Sequence, residues 1–237
     1  MSDSAVLRPG IALGPYPQRE DLRESWLDGV AANLGGFVRQ RAYGRNPGHE
    51  QFLSLVNTEA QGLGDLSDQQ IKEGIPALRR RLYSEGLQEV LVARVFAIVR
   101  EIAGRRLGMR PFDVQLLGGR VMLEGKIAEM ETGEGKTLTA ILPACAAALA
   151  GIPVHIVTVN DFLVLRDAAW MMPVYKFFGL SVGTISEGLA PEARRAAYAR
   201  DITYGTNKQV VFDYLKDRLM LGRHARPMHL QLEGLQS

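Results

Sequence analysis

Ile71, Ile75, Leu78 and Leu82 recur at helical spacing, so they predict a helix with one apolar face. Ser67 with Gln70 forms a capping-box pattern that opens this helix. Arg79, Arg80 and Arg81 crowd its end, where cations suit the helix dipole. A second helix is predicted from about Leu87 to Leu107, with Leu91, Val95, Ile98 and Ile102 in register and Gly108 as its stop signal. Further upstream, Leu22, Trp26, Val30 and Leu34 keep the same spacing, but Gly29, Gly35 and Gly36 weaken the pattern. From Lys126 the rhythm changes to short strand, loop and helix, repeated. Lys126 to Met130 precedes a helix from Lys136 to Ala150, and Val154 to Val159 precedes one from Asp161 to Phe178. Ser181 to Ile185 leads into Pro191 to Arg200, and Ile202 to Tyr204 into Lys208 to Leu219. Such alternation indicates an α/β fold, a parallel sheet covered by helices and here preceded by a helical segment. The division falls near Gly108, giving a helical part over 1–107 and a core domain over 108–237.

Composition adds bounds to this outline. The 237 residues are 46% hydrophobic and 23% charged, ordinary values for a globular chain with one sizeable core. The 28 basic and 26 acidic residues are interspersed, and a net charge of +2 falls short of a dedicated nucleic-acid surface. Thr137 to Asn160 carries no Asp, Glu, Lys or Arg, and its length approaches the roughly 20 residues of a membrane span. Pro143, Gly151 and Pro153 are expected to cut it into a buried helix, a turn and a buried strand. The single cysteine, Cys145, excludes an internal disulfide and reads as a packed, inert thiol in a reducing compartment. Met1 to Gly14 shows no secretory signal, which points to a cytoplasmic start. His49, His155, His224 and His229 have no metal-ligand spacing with Cys145 or one another.

The chemistry concentrates in Thr132-Gly133-Glu134-Gly135-Lys136-Thr137, placed where a strand is expected to give way to a helix. Glycines there let backbone N–H groups approach phosphate oxygens, and the helix N-terminus adds positive potential. Lys136 can reach the β- and γ-phosphates, and the Thr137 hydroxyl can ligate Mg2+. Lys136 and Thr137 are therefore the candidate catalytic residues, and Thr137 the candidate metal ligand. The general phosphate-loop pattern wants glycine where this chain has Met130, so the helicase-type form of the motif is the one that holds.

Gly108 to Gly119 and Glu124 to Thr137 resemble the first nucleotide-binding domain of the SecA family of protein-export ATPases. The resemblance continues through Val157 to Leu163, Arg166 to Ala168, Pro173 to Tyr175, Gly179 to Gly183, Asp201 to Asn207 and Phe212 to Leu215. Leu66 to Asp68 and Val99 to Glu101 match more loosely. The resemblance implies a RecA-like, DEAD-like motor ATPase fold. It further implies that Gln115 reads the adenine edge, and that Gly133, Glu134, Gly135, Lys136 and Thr137 line the phosphates of ATP with Mg2+ as cofactor. Without it, Gln115 reads as a surface residue, and Glu134 has no support from spacing. Thr158 to Asp161 and Tyr204 to Asn207 would couple nucleotide state to movement; alone they read as strand-to-helix turns with a capping Asn or Asp.

The implied activity is coupling of ATP hydrolysis to preprotein translocation. The implied partners are a SecYEG-like translocon, unfolded preproteins and an anionic membrane surface, with a homodimer of the full-length protein and no specific nucleic acid. The implied location is cytoplasmic, peripheral to the inner membrane. ATP hydrolysis also needs a carboxylate pair for Mg2+ and the attacking water, yet no Asp-Glu dipeptide occurs in the chain. In SecA-like proteins that motif follows the segment equivalent to Phe212 to Leu215, so the chain is expected to be a fragment lacking the motif for turnover. An RNA helicase-type ATPase would use the same phosphate loop, and a nucleotide-binding module without turnover is a third reading.

Overall fold

A computed structural model describes residues 47–221, with side chains as far as Leu219. The apolar pattern at Leu22 to Leu34 lies outside the described residues. Eight α-helices and three strands follow in order: α1 (Pro47–Ala60), α2 (Asp68–Glu85), α3 (Glu89–Leu107), α4 (Asp113–Leu123), α5 (Lys136–Leu149), β1 (Val154–Thr158), α6 (Asp161–Phe177), β2 (Val182–Thr184), α7 (Pro191–Tyr198), β3 (Ile202–Thr206) and α8 (Asn207–Leu221).

The capping box at the start of α2 forms as expected: Ser67 Oγ accepts from the Gln70 N–H at 3.3 Å, and Gln70 Oε1 accepts from the Ser67 N–H at 2.8 Å. Ile71, Ile75, Leu78 and Leu82 are its buried face. The helix runs to Glu85, past the arginine cluster, so its last turn has no basic residue. Arg81 instead pairs with Glu85 on the surface, and Arg79 reaches the Phe178 carbonyl at 3.4 Å. Helix α3 ends as expected at Gly108, in the left-handed conformation. It is apolar on more than one face, and Val92, Phe96 and Val99 are buried alongside Leu91, Val95, Ile98 and Ile102. That wider apolar surface suits a helix that packs against α1, α5 and α6 together. Phe52 of α1 meets Phe96 edge-on at 5.6 Å, and helices and sheet share one hydrophobic cluster from Phe52 to Tyr204.

All three strands are parallel, in the order β1-β3-β2. Val154 pairs with Ile202 on one side of the central strand and Val182 with Ile202 on the other. Adjacent residues of a strand face opposite sides of the sheet, and β3 shows where each helical layer sits. Tyr204 turns to α6, where its hydroxyl lies 2.8 Å from that of Tyr175, while Thr203 turns to α7 and donates to the Ala197 carbonyl at 2.9 Å. Burial pushes both phenols well above their ordinary pKa, so they remain a neutral hydrogen-bonded pair. Gly183 of β2 also faces α7, where an added Cβ would lie 2.5 Å from the Ala197 carbonyl oxygen. Backbone there cannot swing aside, so Gly183→Ala is expected to cost about 1–3 kcal/mol as an overpacked contact. Urea unfolding measures it, and a midpoint equal to wild type would show that α7 shifts freely.

Three expectations are corrected here. Lys126 to Met130 is not a strand: it forms no ladder among the described residues, and Ile127 is 94% exposed. With Ile127 packing on nothing, burial gives the segment no pull toward the sheet. Pro143 does not cut the uncharged run. It lies inside an unbroken α5, where it withholds only the ladder bond to the Thr139 carbonyl. Buried neighbours on both sides, Leu142 and Ala144, hold the helix together across it. The run then passes through Gly151 into β1, which is not the buried strand expected, since none of its residues is fully buried and Val157 is 51% exposed; among the described residues no helix is long and apolar enough to cross a membrane. Cys145 is fully buried, and burial raises its thiol pKa far above the ordinary value, so it is inert.

Candidate nucleotide site

Close approach of α4 to α5 builds the site. An added Cβ at Gly119 would lie 3.1 Å from Leu142 Cβ and from the Phe96 ring, and one at Gly118 would lie 3.1 Å from Thr139 Cγ2. The paired glycines thus let α4 lie against α5 without a gap. Arg120 on the same helix fixes the other flank, with 2.8 Å and 3.1 Å ion pairs to Glu89 and Glu124, a bond to the Gly48 carbonyl, and its guanidinium 5.1 Å from the Phe52 ring centre.

The first turn of α4 consequently meets the loop that enters α5. Gln115 Oε1 accepts from the Phe112 N–H at 2.9 Å, and Gln115 Nε2 donates to the Glu134 carbonyl at 2.7 Å. Gln115 is only 4% exposed, which overturns its reading as a surface residue: the amide bridges a helix start and a loop, and that pairing makes burial tolerable. Glu134 folds back, its Oε2 accepting from the Glu131 N–H at 2.9 Å. Lys136 Nζ donates to the Glu131 carbonyl. Gly133 and Gly135 take φ of 94° and 80°, and an added Cβ at Gly135 would collide with Gln115 Nε2. Glycine at 135 therefore satisfies a backbone requirement and a packing requirement together. Thr137 stands half-buried one residue into α5.

A cavity of about 600 Å³ opens along this junction. Gly133, Glu134, Gly135 and Thr137 of the loop and helix start line it, together with the apolar Met109, Phe112, Val114, Leu138 and Trp170, and Gln115 and Arg110 are also on its wall. Arg110 donates to Glu101 Oε2 at 2.6 Å, and Arg105 donates to Glu101 Oε1 at 2.8 Å. Burial acts to raise the Glu101 pKa, but the two guanidinium hydrogen bonds outweigh it and hold the carboxyl below its usual range. Arg105 also pairs with Asp68 at 3.0 Å, joining the start of α2 to the end of α3. Asp113 pairs with Arg100 at 3.1 Å.

The structure thus brings together Gln115, Gly133, Glu134, Gly135, Lys136 and Thr137, all residues singled out from the sequence. Thr158 to Asp161 lies at the end of β1. Asn160 caps α6 by accepting from the Leu163 N–H at 2.9 Å, and Asp161 accepts from the Glu187 N–H at 2.9 Å. At the end of β3, Thr206 Oγ1 accepts from the Gln209 N–H at 3.2 Å, so a threonine joins Asn207 at the start of α8. Sequence reasoning missed Phe112, Val114 and Trp170 as cavity residues. Their apolar character reads as core, and no spacing rule shows that they stay exposed. Among the described residues no group of three or more His, Cys, Asp or Glu side chains could hold a metal ion. Thr137, on the cavity wall, carries a hydroxyl oxygen of the kind that Mg2+ accepts.

A glycine-containing loop leading into a helix, beside a parallel sheet with helices around it, defines a DEAD-like α/β domain of the RecA type. The chain belongs to the SecA DEAD-like domain family, whose model matches residues 37–233. It is 48% identical over 210 residues to "Protein translocase subunit SecA 2" of Nitrosospira multiformis, an alignment covering 88% of this chain and 32% of that protein. It is 54% identical over 170 residues to "Protein translocase subunit SecA" of Rubrobacter xylanophilus, covering 72% of this chain and 19% of the relative. With "Protein translocase subunit SECA1, chloroplastic" of Arabidopsis thaliana it shares 46% identity over 196 residues, 80% of this chain and 19% of the other. The chain therefore spans about a fifth to a third of the length of these relatives.

Proposed function

We propose that this chain is the ATP-binding part of a motor that couples ATP hydrolysis to preprotein translocation through a SecYEG-like channel. The loop at Gly133 to Thr137, lining one cavity with Gln115, is the observation that carries the reading. Bound Mg-ATP supplies the phosphoanhydride whose hydrolysis drives such a motor. Gly133 and Gly135 turn the backbone so that N–H groups at the start of α5 face phosphate oxygens. Glu134 holds the turn closed through the Glu131 N–H. Lys136, whose ammonium rests on the Glu131 carbonyl, would turn to the phosphates, and the Thr137 hydroxyl would hold Mg2+.

Gln115 keeps one donor and one acceptor after its two bonds inside the protein, because a primary amide has two N–H donors and two lone pairs. An adenine edge offers the matching pair, an N6 donor and an N7 acceptor. Gln115→Ala is expected to narrow the preference for ATP over GTP by about tenfold, as loss of a bidentate base contact. Competition binding measures it, and an unaltered ratio would remove Gln115 from base recognition.

The division at Gly108, the peripheral membrane location, an anionic lipid surface, unfolded preproteins and a homodimer of the longer protein belong to the same proposal. It is supported by relatives named as translocase subunits. The test is Mg-ATP binding and turnover by the 237-residue chain with Lys136→Ala as control, repeated with RNA and with channel-containing vesicles plus preprotein. Binding sensitive to Lys136, with no stimulation by RNA, is the expected result. Turnover stimulated by RNA alone would reverse the assignment in favour of a helicase.

A further inference from the structure

The cavity beside the loop at 133–137 has two chemically different kinds of lining. Gly133, Gly135 and Thr137 present backbone and a hydroxyl, whereas Phe112 and Trp170 present rings that are 72% and 45% exposed. Holding phosphate requires only the first kind. Apolar lining in the same cavity of about 600 Å³ suits a ligand with a flat, weakly polar group attached to its phosphates. Trp170 is the unexpected member. It lies on α6 among Ala168, Met171 and Val174, which are buried in the core, yet its own ring projects from the helix flank to the cavity wall. Among the described residues no other aromatic ring stacks on it. One turn earlier on the same helix, Arg166 is engaged elsewhere, donating to Asp167 at 2.7 Å with its guanidinium 5.9 Å from the Phe162 ring centre. The indole is thus a large apolar surface available within the cavity.

We propose that Trp170 is a base-stacking residue: its indole covers the face of the nucleobase whose phosphates rest on the loop at 133–137. The proposal rests on the ATP-site reading above and adds to it a residue and a selectivity. Stacking is tolerant of base identity, because each base has a π-face, and it grows with ring area. Trp170 therefore favours purine nucleotides over pyrimidine nucleotides, and both over bare polyphosphate. Gln115 reads an edge and would set adenine against guanine, so the two residues leave different signatures.

The chain contains two tryptophans, so Trp26→Phe leaves Trp170 as its only indole. That variant is titrated with the magnesium complexes of ATP, GTP, CTP and tripolyphosphate while indole emission is followed. Equilibrium dialysis with radiolabelled ATP and GTP, and competition by CTP and tripolyphosphate, gives the affinities independently. ATP and GTP are expected to change the emission to saturation, CTP to bind more weakly, and tripolyphosphate to leave emission unchanged. Trp170→Ala is expected to lower ATP and GTP affinity by the same factor, about tenfold, without altering competition by tripolyphosphate. Trp170→Phe keeps a ring and is expected to lose less, which preserves the test if the alanine variant folds poorly. ATP binding in dialysis with unchanged emission, and with Trp170→Phe and Trp170→Ala at wild-type affinity, would overturn the stacking role and leave the phosphate loop standing. Absence of ATP binding altogether would overturn the phosphate-loop reading and this inference with it.

Discussion

Lys136→Ala is expected to lower ATP affinity by about ten- to hundredfold, the loss that follows from removing a charged hydrogen-bond donor worth about 1.5–3 kcal/mol. The expectation follows from where Lys136 sits. It is the first residue of α5, directly after the left-handed Gly135, and its ammonium already lies against a loop carbonyl at Glu131. A phosphate cradled by this loop replaces that neutral oxygen with charged ones, strengthening the same donor. Stability should change little, because the side chain is exposed. Dialysis with radiolabelled ATP, beside urea unfolding, separates the two effects. Equal affinity in wild type and variant would sink the phosphate-loop assignment.

Arg194→Ala is expected to destabilise the chain by about 3 kcal/mol, in the range for breaking one side of a largely buried ion pair. Arg194 Nη1 donates to both Asp213 oxygens at 3.0 and 2.8 Å and to Gln209 Oε1 at 2.8 Å. Its Nη2 reaches the Ser186 carbonyl at 3.4 Å, so one side chain joins α7, α8 and the segment after β2. Removing it leaves the Asp213 carboxylate buried with the Tyr198 hydroxyl, which donates to Oδ2 at 2.9 Å. Burial, then that hydrogen bond, push the Tyr198 pKa up, so the phenol remains a neutral donor and cannot supply the missing positive charge. For a chain of this size the loss corresponds to a melting point lower by roughly 6–12 °C. A change below about 0.5 kcal/mol in denaturant unfolding would mean that water screens the pair as it does on an exposed surface.

None of this network was visible beforehand. Arg194 and Asp213 are separated by 18 other residues and two element boundaries, and an arginine in a short amphipathic helix reads as solvated. Likewise, α1 and α4 escaped the periodicity argument. In α1 only Phe52 and Val56 are buried, too few to stand out from Leu53 and Leu55 beside them. In α4 the residues that make the packing are Gly118 and Gly119, which carry no hydrophobic signal at all. The helices α2, α3 and α5 to α8 were legible because each announces itself locally, through a cap, an apolar period or a terminal glycine.

For the candidate site, the loop at Gly133 to Thr137 was legible because it is contiguous: glycines, Lys136 and Thr137 lie within one turn of chain, so spacing alone conveys their geometry. Gln115 reached the list only through family resemblance, since its partners, Phe112 N–H and the Glu134 carbonyl, are brought to it by the α4–α5 contact. The sequence by itself determined the α/β alternation, most helix starts and the glycine loop that enters α5, all consequences of interactions between near neighbours. Only the tertiary structure decided that Lys126 to Met130 stays out of the sheet, that Gln115 is buried, and that Phe112 and Trp170 line the cavity. Burial and cross-element contact are set by which distant segments pack together, and local pattern carries no record of that.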